Sequence, residues 1–255
     1  MHWKNNLLFF FVLLLAACVS RQSPRSANQA EYAVKLDSTV LFDQSRNRPI
    51  PVAFYTPQKH KSRRLVIVNH GYGQNKGGDY LAYSYLTNYL ASEGCFVVSI
   101  QHELPGDSLL PMTGIPQIVR RSNWERGVTN IRFVISELKK RHPELDFKHL
   151  SLIGHSNGGD MCMLLAQKHP ELADKVISLD NRRVALPRTG KPKIYSLRSS
   201  DQPADEGVLP NLEEQQRFGI KIIKLPNTIH NDMDDSGTAA QHKEINAYIW
   251  SFLND

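Results

Sequence analysis

Six short apolar runs, separated by longer polar or amphipathic stretches, dominate the hydrophobic pattern of the chain. They cover residues 65–68, 96–100, 150–153, 176–179, 194–197 and 222–225 and are rich in Val, Ile and Leu. Runs of this length without alternation are typical of parallel strands that are buried on both faces of a sheet. Two earlier alternating segments, at residues 31–42 and 50–55, flank a polar turn and predict an antiparallel hairpin.

Helical periodicity occupies most of the gaps between these runs. It predicts helices over residues 80–92, 118–140 and 158–169, and a final helix over residues 238–253. Strands that alternate with helices imply right-handed crossovers and a mostly parallel sheet with helices on both faces. Only residues 180–193 separate the sixth and seventh predicted strands, which leaves no room there for a large cap domain.

The pentapeptide Gly-His-Ser-Asn-Gly at residues 154–158 joins the apolar run at residues 150–153 to the third predicted helix. Small residues on both sides allow a sharp strand-to-helix turn that exposes the hydroxyl of Ser156. The N–H groups of the helix N-terminus, including that of Asn157, are suited to stabilising an oxyanion. Taken alone, the pentapeptide also fits a plain glycine-containing turn, so its interpretation depends on its surroundings.

The order of the predicted strands places Ser156 after the fifth of eight. An antiparallel lead-in, six parallel strands and a serine after the fifth strand resemble the α/β-hydrolase fold. This resemblance covers about residues 31–255 and implies a carboxylic ester hydrolase, a serine esterase or lipase-like enzyme that needs no cofactor and no metal. Residues 43–57 look like the opening of the dienelactone-hydrolase-like and platelet-activating-factor-acetylhydrolase-like branches, although the dienelactone hydrolases proper use a cysteine nucleophile.

The resemblance also implies a triad in the chain order serine, acid, histidine. A serine hydroxyl needs an adjacent imidazole, which in turn is held by a carboxylate. We predict His230 as the base, because it lies in the loop between the last strand and the final helix. We predict Asp201 as the acid, with Asp205 as the alternative, because both follow the seventh strand; Asp180, after the sixth strand, is a third candidate.

A second oxyanion donor is expected after the third strand. There the His70-Gly71 pair resembles the oxyanion motif of esterases and lipases, which assigns the backbone N–H of Tyr72 as the partner of that of Asn157. We expect His70 and His155 at the substrate site as well, although His155 has packing as its alternative role.

The irregular stretch at residues 102–117 is expected either to form an apolar wall of the pocket or to pin the loop to the core. Four arginines, at positions 120, 121, 182 and 183, lie near the ends of predicted elements that face the site. Among them we select Arg121 as a substrate ligand, because a guanidinium holds a carboxylate with two hydrogen bonds. The alternatives to an esterase are a thioesterase, an amidase or a peptidase with the same triad, or a non-catalytic envelope-binding lipoprotein that keeps the fold.

Residues 7–17 are apolar without a break and end in Leu-Ala-Ala-Cys at residues 15–18. Such a run is too short to span a bilayer but suits a secretory signal peptide. Its ending resembles the lipobox of bacterial lipoproteins, which implies a signal peptide at residues 1–17, a lipidated Cys18, a tether at residues 18–30 and a folded domain at residues 31–255. The alternative is a signal peptide in which Cys18 is incidental. The lipoprotein interpretation places the domain in the cell envelope, and Val19 favours an outer membrane position facing the periplasm.

The formal net charge of +6 is modest, and its basic clusters at residues 59–64 and 139–141 lack zinc-type Cys/His spacings and stacking aromatics. Nucleic acid is therefore not an expected partner. The expected partners are a small-molecule or lipid ester and, through Cys18, a membrane. Cys95 and Cys162 are predicted to be buried thiols, although an oxidising compartment would permit a disulfide.

Overall fold

An eight-stranded sheet forms the centre of the structure, a computed structural model that describes residues 32–255. Each of the predicted apolar runs and both segments of the predicted hairpin form strands. The strands are β1 (Val34–Asp43), β2 (Arg48–Pro57), β3 (Arg64–Asn69), β4 (Phe96–Ile100), β5 (Asp146–His155), β6 (Lys175–Leu179), β7 (Lys193–Arg198) and β8 (Lys221–Lys224).

The strand order across the sheet is β1-β2-β4-β3-β5-β6-β7-β8. The β1–β2 and β2–β4 pairs are antiparallel, and all the later pairs are parallel. The predicted mostly parallel sheet with an antiparallel lead-in is therefore confirmed. Since parallel strands end at the same edge, the loops that follow β3, β5, β6, β7 and β8 meet at one side of the sheet.

Six α-helices cover the sheet within residues 32–255. They are α1 (Ser84–Ser92), α2 (Pro116–Val119), α3 (Arg121–Arg141), α4 (Ser156–Lys168), α5 (Leu212–Phe218) and α6 (Ala239–Leu253). The helix predicted over residues 118–140 is two helices, which meet at Arg120. Helix α5 was not predicted, although the Asn211 and Glu214 pair that forms its capping box is a readable start signal.

Two hydrophobic cores lie on opposite faces of the sheet. In β3, Leu65 and Ile67 pack into the core that includes side chains of α3 and α4, whereas Val66 and Val68 pack into the core that includes side chains of α1 and α6. All four are 1% exposed or less. Successive residues of a strand point to opposite faces, so an apolar run without alternation marks a strand that is covered on both sides.

The loop between β6 and β7 contains no helix or strand, in agreement with the expected absence of a large cap domain at this position. Cys95 and Cys162 are both unpaired and buried. No helix within residues 32–255 has the length and apolar character needed to cross a bilayer. The predicted signal peptide, Cys18 and the tether at residues 18–30 lie outside the described residues.

Candidate active site

Strand β5 passes directly into α4 at Ser156, with no residue between the two elements. Ser156 has φ of +50°, in the left-handed region that a non-glycine residue adopts only when its surroundings impose it. The first turn of the helix lies against the end of β3, because a Cβ at Gly158 would come within 2.4 Å of the carbonyl oxygens of both Asn69 and His70. Glycine at position 158 therefore allows a close backbone approach two residues after Ser156.

A continuous hydrogen-bond chain runs from Ser156 through His230 to Asp180. The Ser156 hydroxyl lies 2.9 Å from Nε2 of His230, and Nδ1 of His230 lies 2.6 Å from Oδ2 of Asp180. Ser156 follows β5, Asp180 follows β6, and His230 lies in the loop between β8 and α6. With Nδ1–H donating to the carboxylate, Nε2 is free to accept the serine proton, which is the tautomer that a general base requires.

Asp180 is completely buried and is held by several polar groups. Arg198, the last residue of β7, places Nη2 2.8 Å from Oδ1, and Ser199 donates its hydroxyl to Oδ2 at 2.7 Å. Burial by itself raises the pKa of this carboxyl, but the hydrogen bond from His230 and the charge of Arg198 outweigh it and hold the pKa below its ordinary value. Asp180 therefore stays ionised at neutral pH and stabilises a positive charge on His230.

The structure corrects the choice of acid. Asp201, which the strand order favoured, accepts a hydrogen bond from the backbone N–H of His230 at 2.8 Å and does not contact its imidazole. Asp205, the alternative, forms an ion pair with Arg183. The third candidate, Asp180, is the carboxylate that the structure places at the imidazole: it follows β6, which lies directly beside β5, and its Oδ2 lies 2.6 Å from Nδ1.

The two predicted oxyanion donors lie at the cavity that contains Ser156. Tyr72 and Asn157 both line it, and Asn157 belongs to the first turn of α4, where backbone N–H groups have no helical acceptor. The Asn157 side chain is fixed, because its Nδ2 donates to Glu103 at 2.9 Å and its Oδ1 accepts from Trp124 at 2.8 Å. This fixation holds the start of α4 in place next to Ser156.

His155 positions the site rather than offering a free ring nitrogen to a substrate. Its Nδ1 lies 2.7 Å from the hydroxyl of Tyr83, which accepts a hydrogen bond from the N–H of Gly71, and its Nε2 lies 3.1 Å from the carbonyl oxygen of His230. Burial, together with the nearby charge of His230, lowers the pKa of His155 to about 3. A neutral His155 therefore connects the loop after β3 with the loop that carries His230.

His70 and Arg121 are not placed as substrate ligands. His70 is 1% exposed, and its Nε2 accepts the backbone N–H of His102 at 2.9 Å, so it braces the loop after β4. Arg121 lies on the exposed side of α3, where it pairs with Glu125 one helical turn further on. Arg121 does not line the cavity at Ser156, whereas Arg120, its immediate neighbour, does. Consecutive residues at the start of a helix point in different directions, which explains why only one of the two faces the cavity.

Two cavities meet at Ser156 and His230. The smaller one, of about 140 Å³, extends along Tyr83 and His155. The larger one, of about 200 Å³, is bounded on one side by Leu110 and Met112, as expected of the stretch at residues 102–117. The rest of its wall includes Asp160 and three arginines at positions 120, 182 and 183.

Sequence reasoning missed two residues that support the site, Arg198 and Tyr83. Arg198 has a readable signal, since an arginine that ends an otherwise apolar, buried strand requires a carboxylate partner. Tyr83 has none, because only the folded chain brings its hydroxyl between Gly71 and His155.

The fold and the position of Ser156 define the class: this is a protein with the α/β-hydrolase fold. A family model described as serine aminopeptidase, S33, matches residues 60–179, which include β3 to β6 and the serine turn. No curated protein sequence matches the chain.

Solved structures of esterases share this architecture. Esterase Est22 aligns with a TM-score of 0.64 and 14% identity over 87% of this chain and 81% of its own. A structure described as one of two fungal esterases from Rhizomucor miehei aligns with a TM-score of 0.63 and 12% identity over 89% and 84%. A bacterial heroin esterase aligns with a TM-score of 0.59 and 15% identity over 86% and 83%. At these identities the likeness establishes the fold, and the activity has to be argued from the site.

Proposed function

We propose that this protein is a serine hydrolase that cleaves carboxylic esters through an acyl-enzyme on Ser156. The observation that carries this proposal is the continuous chain Ser156–His230–Asp180, with a hydroxyl, an imidazole and a buried carboxylate at hydrogen-bond distances of 2.9 and 2.6 Å. The pKa of the Asp180 carboxyl is held below its ordinary value, and Ser156 opens onto a cavity.

In the first half of the reaction, Oγ of Ser156 attacks the ester carbonyl carbon while Nε2 of His230 takes the hydroxyl proton. The carbonyl oxygen becomes an oxyanion, which the N–H groups of Tyr72 and Asn157 stabilise. His230 then gives its proton to the departing alcohol oxygen as the bond to the carbonyl carbon breaks. The products of this half are the alcohol and an ester of the acyl group with Ser156.

In the second half, His230 takes a proton from water, whose oxygen attacks the acyl carbon. Collapse of the second tetrahedral intermediate releases the carboxylic acid, and His230 returns the proton to Oγ of Ser156. Throughout, the carboxylate of Asp180 accepts the hydrogen bond from Nδ1–H of His230 and offsets the positive charge on the imidazole. The charge of Arg198 helps to keep that carboxylate ionised.

An aminopeptidase is the second candidate, and the description of the matching family model favours it. An aminopeptidase must hold a free α-ammonium group, for which an excess of carboxylates near the nucleophile is the natural ligand set. The larger cavity instead carries three arginines against Asp160. We therefore expect kcat/KM, divided by the alkaline hydrolysis rate of each ester, to be no higher for the 4-nitrophenyl ester of an amino acid than for the ester of the same acid without the amino group. A preference of about tenfold or more for the aminoacyl ester, together with cleavage of aminoacyl 4-nitroanilides, would establish the aminopeptidase.

Labelling with a fluorophosphonate tests the proposal at the nucleophile itself. The reagent is expected to attach to Ser156, because its hydroxyl lies 2.9 Å from Nε2 of His230. The tryptic peptide of residues 149–168 contains both Ser156 and Ser151, so fragment-ion spectra assign the site, and Ser151, buried within β5, serves as the internal control. Ser156→Ala is expected to abolish both labelling and ester hydrolysis. Folded protein without label at Ser156 would contradict catalysis and favour a binding role.

We also propose that the domain works in the bacterial cell envelope on a lipid attached to Cys18. The support is the unbroken apolar run at residues 7–17 that ends in Leu-Ala-Ala-Cys. Expression of the full chain with radiolabelled palmitate is expected to yield a labelled, membrane-associated protein, and Cys18→Ala to yield an unlabelled one. Equal label in both would disprove acylation at this position.

A further inference from the structure

Three arginine side chains line the larger cavity beside Ser156 and His230. Arg120 precedes α3, whereas Arg182 and Arg183 follow Asp180 in the loop after β6. Two separate segments of the chain therefore bring positive charge to the cavity that holds the nucleophile. The hydrolytic steps at Ser156 use none of these guanidinium groups.

Two of the three arginines have no carboxylate partner within residues 32–255. Arg183 forms an ion pair with Asp205. Arg120 donates only to the carbonyl oxygen of Pro111, at 2.9 Å, and to a methionine sulfur. Arg182 is half-buried, and its side chain forms no hydrogen bond or ion pair with any residue of this part of the chain. Arg120 and Arg182 are thus free to bind a ligand.

The carboxylates near the cavity do not cancel this charge. Asp160 is 4% exposed, and its Oδ1 accepts the backbone N–H groups of Arg183 and Val184 at 3.0 and 2.8 Å. Burial raises the pKa of Asp160 to about 6. Asp205 pairs with Arg183 and Asp180 pairs with Arg198, so neither these carboxylates nor Asp160 forms an ion pair with the side chain of Arg120 or Arg182 within residues 32–255.

Burial and mutual repulsion act against the charged form of these arginines. Burial and the charge of Arg183 lower the pKa of Arg182, and the carboxylates of Asp180, Asp160 and Asp205 offset only part of this lowering. Burial and Arg183 also lower the pKa of Arg120, which Asp160 and Asp205 offset only in part. A bound anion would offset both effects, because it would restore a hydrogen-bond acceptor and a countercharge to groups that have lost part of their solvent.

On the basis of the proposed ester hydrolysis at Ser156, we infer that the substrate is an ester that carries a carboxylate group, which Arg182 and Arg120 bind in the larger cavity. Two guanidinium groups without a carboxylate partner in the described residues suit an anion, and a planar guanidinium fork matches the two oxygens of a carboxylate. The cavity volume of about 200 Å³ suits a short group close to the scissile bond.

Two pairs of esters that differ only in this charge test the inference. For the acyl side, the 4-nitrophenyl monoester of adipic acid is compared with the same compound capped as its methyl ester. For the alcohol side, 4-acetoxybenzoate is compared with its methyl ester. Each kcat/KM is divided by the alkaline hydrolysis rate of that ester, so that intrinsic reactivity cancels. We expect the charged member to be preferred by about tenfold or more in at least one pair.

Variants assign the preference to the cavity. Arg182→Gln is expected to lower the ratio of charged to neutral kcat/KM by about tenfold. Asp160→Asn keeps an oxygen acceptor for the two backbone N–H groups and removes a negative charge, so it is expected to raise the same ratio. Arg121→Gln is the matched control, because Arg121 lies outside the cavity and is expected to leave the ratio unchanged.

The outcomes separate this inference from the proposed function. Hydrolysis of the neutral esters with no preference for the charged ones, together with a fluorophosphonate label on Ser156, would overturn the carboxylate site and leave the serine hydrolase in place. A preference that Arg121→Gln removes and Arg182→Gln preserves would also overturn it. Absence of both label and hydrolysis would overturn the hydrolase itself, and the carboxylate site with it.

Discussion

Replacing Asp180 by asparagine is expected to lower kcat for ester hydrolysis by about 10⁴-fold. The amide would present an N–H or a weaker acceptor to Nδ1 of His230, at the position where the carboxylate now accepts a 2.6 Å hydrogen bond. An amide that donates to Nδ1 places the imidazole proton on Nε2, where it can no longer accept the proton of Ser156. The measurement is the steady-state rate with a neutral 4-nitrophenyl ester.

Asp201→Asn is the matched control for this prediction. Its carboxylate contacts the backbone N–H of His230, and an asparagine oxygen can accept the same bond, so we expect a loss of less than about tenfold. Asp180→Asn also leaves Arg198 without its ion-pair partner, and a buried unpaired charge costs about 3–5 kcal/mol. Thermal unfolding of each variant therefore has to show folded protein at the assay temperature. A larger loss in Asp201→Asn than in Asp180→Asn would make Asp201 the acid.

The sheet could be predicted because each strand that is buried on both faces appears in the sequence as an apolar run. In β3 the consecutive residues Leu65 to Val68 supply both cores, and Val176 and Ile177 of β6 do the same. The order of the strands along the chain also predicts the positions of Ser156 and His230, since Ser156 follows β5 and His230 follows the last strand. These positions depend on the order of elements along the chain, which a sequence states directly.

The acid and the substrate ligands could not be predicted in the same way. The loops after β6 and β7 end at the same edge of the sheet, so Asp180 and Asp201 both come close to His230. Which carboxylate reaches the imidazole depends on the direction of the turn that follows each strand. Asp180 has φ of +58°, a conformation that the sequence pattern does not predict. Similarly, the choice between Arg120 and Arg121 rests on the helix rotation at the junction of α2 and α3.

Replacing Gly158 by alanine is expected to destabilise the protein and to inactivate it in what remains folded. The new Cβ would lie 2.4 Å from the carbonyl oxygens of Asn69 and His70, which are backbone groups and cannot rotate away. Alanine favours a helix over glycine by about 1 kcal/mol, but relieving two such contacts requires α4 and the end of β3 to separate. We expect a net loss of about 1–3 kcal/mol in the free energy of unfolding.

The effect of Gly158→Ala on the rate is expected to exceed its effect on stability. The carbonyls of Asn69 and His70 precede Tyr72, so separation of these segments moves one oxyanion donor away from the other at Asn157. A displacement of about 1 Å in such a site costs about 100-fold in rate. Chemical denaturation and ester kinetics on the same preparation measure both effects.

Gly190→Ala is the control: its Cβ would meet no atom within 4 Å, so it is expected to change stability by less than about 0.5 kcal/mol. Wild-type kcat in Gly158→Ala would show that the strand-to-helix turn at Ser156 does not depend on this close approach.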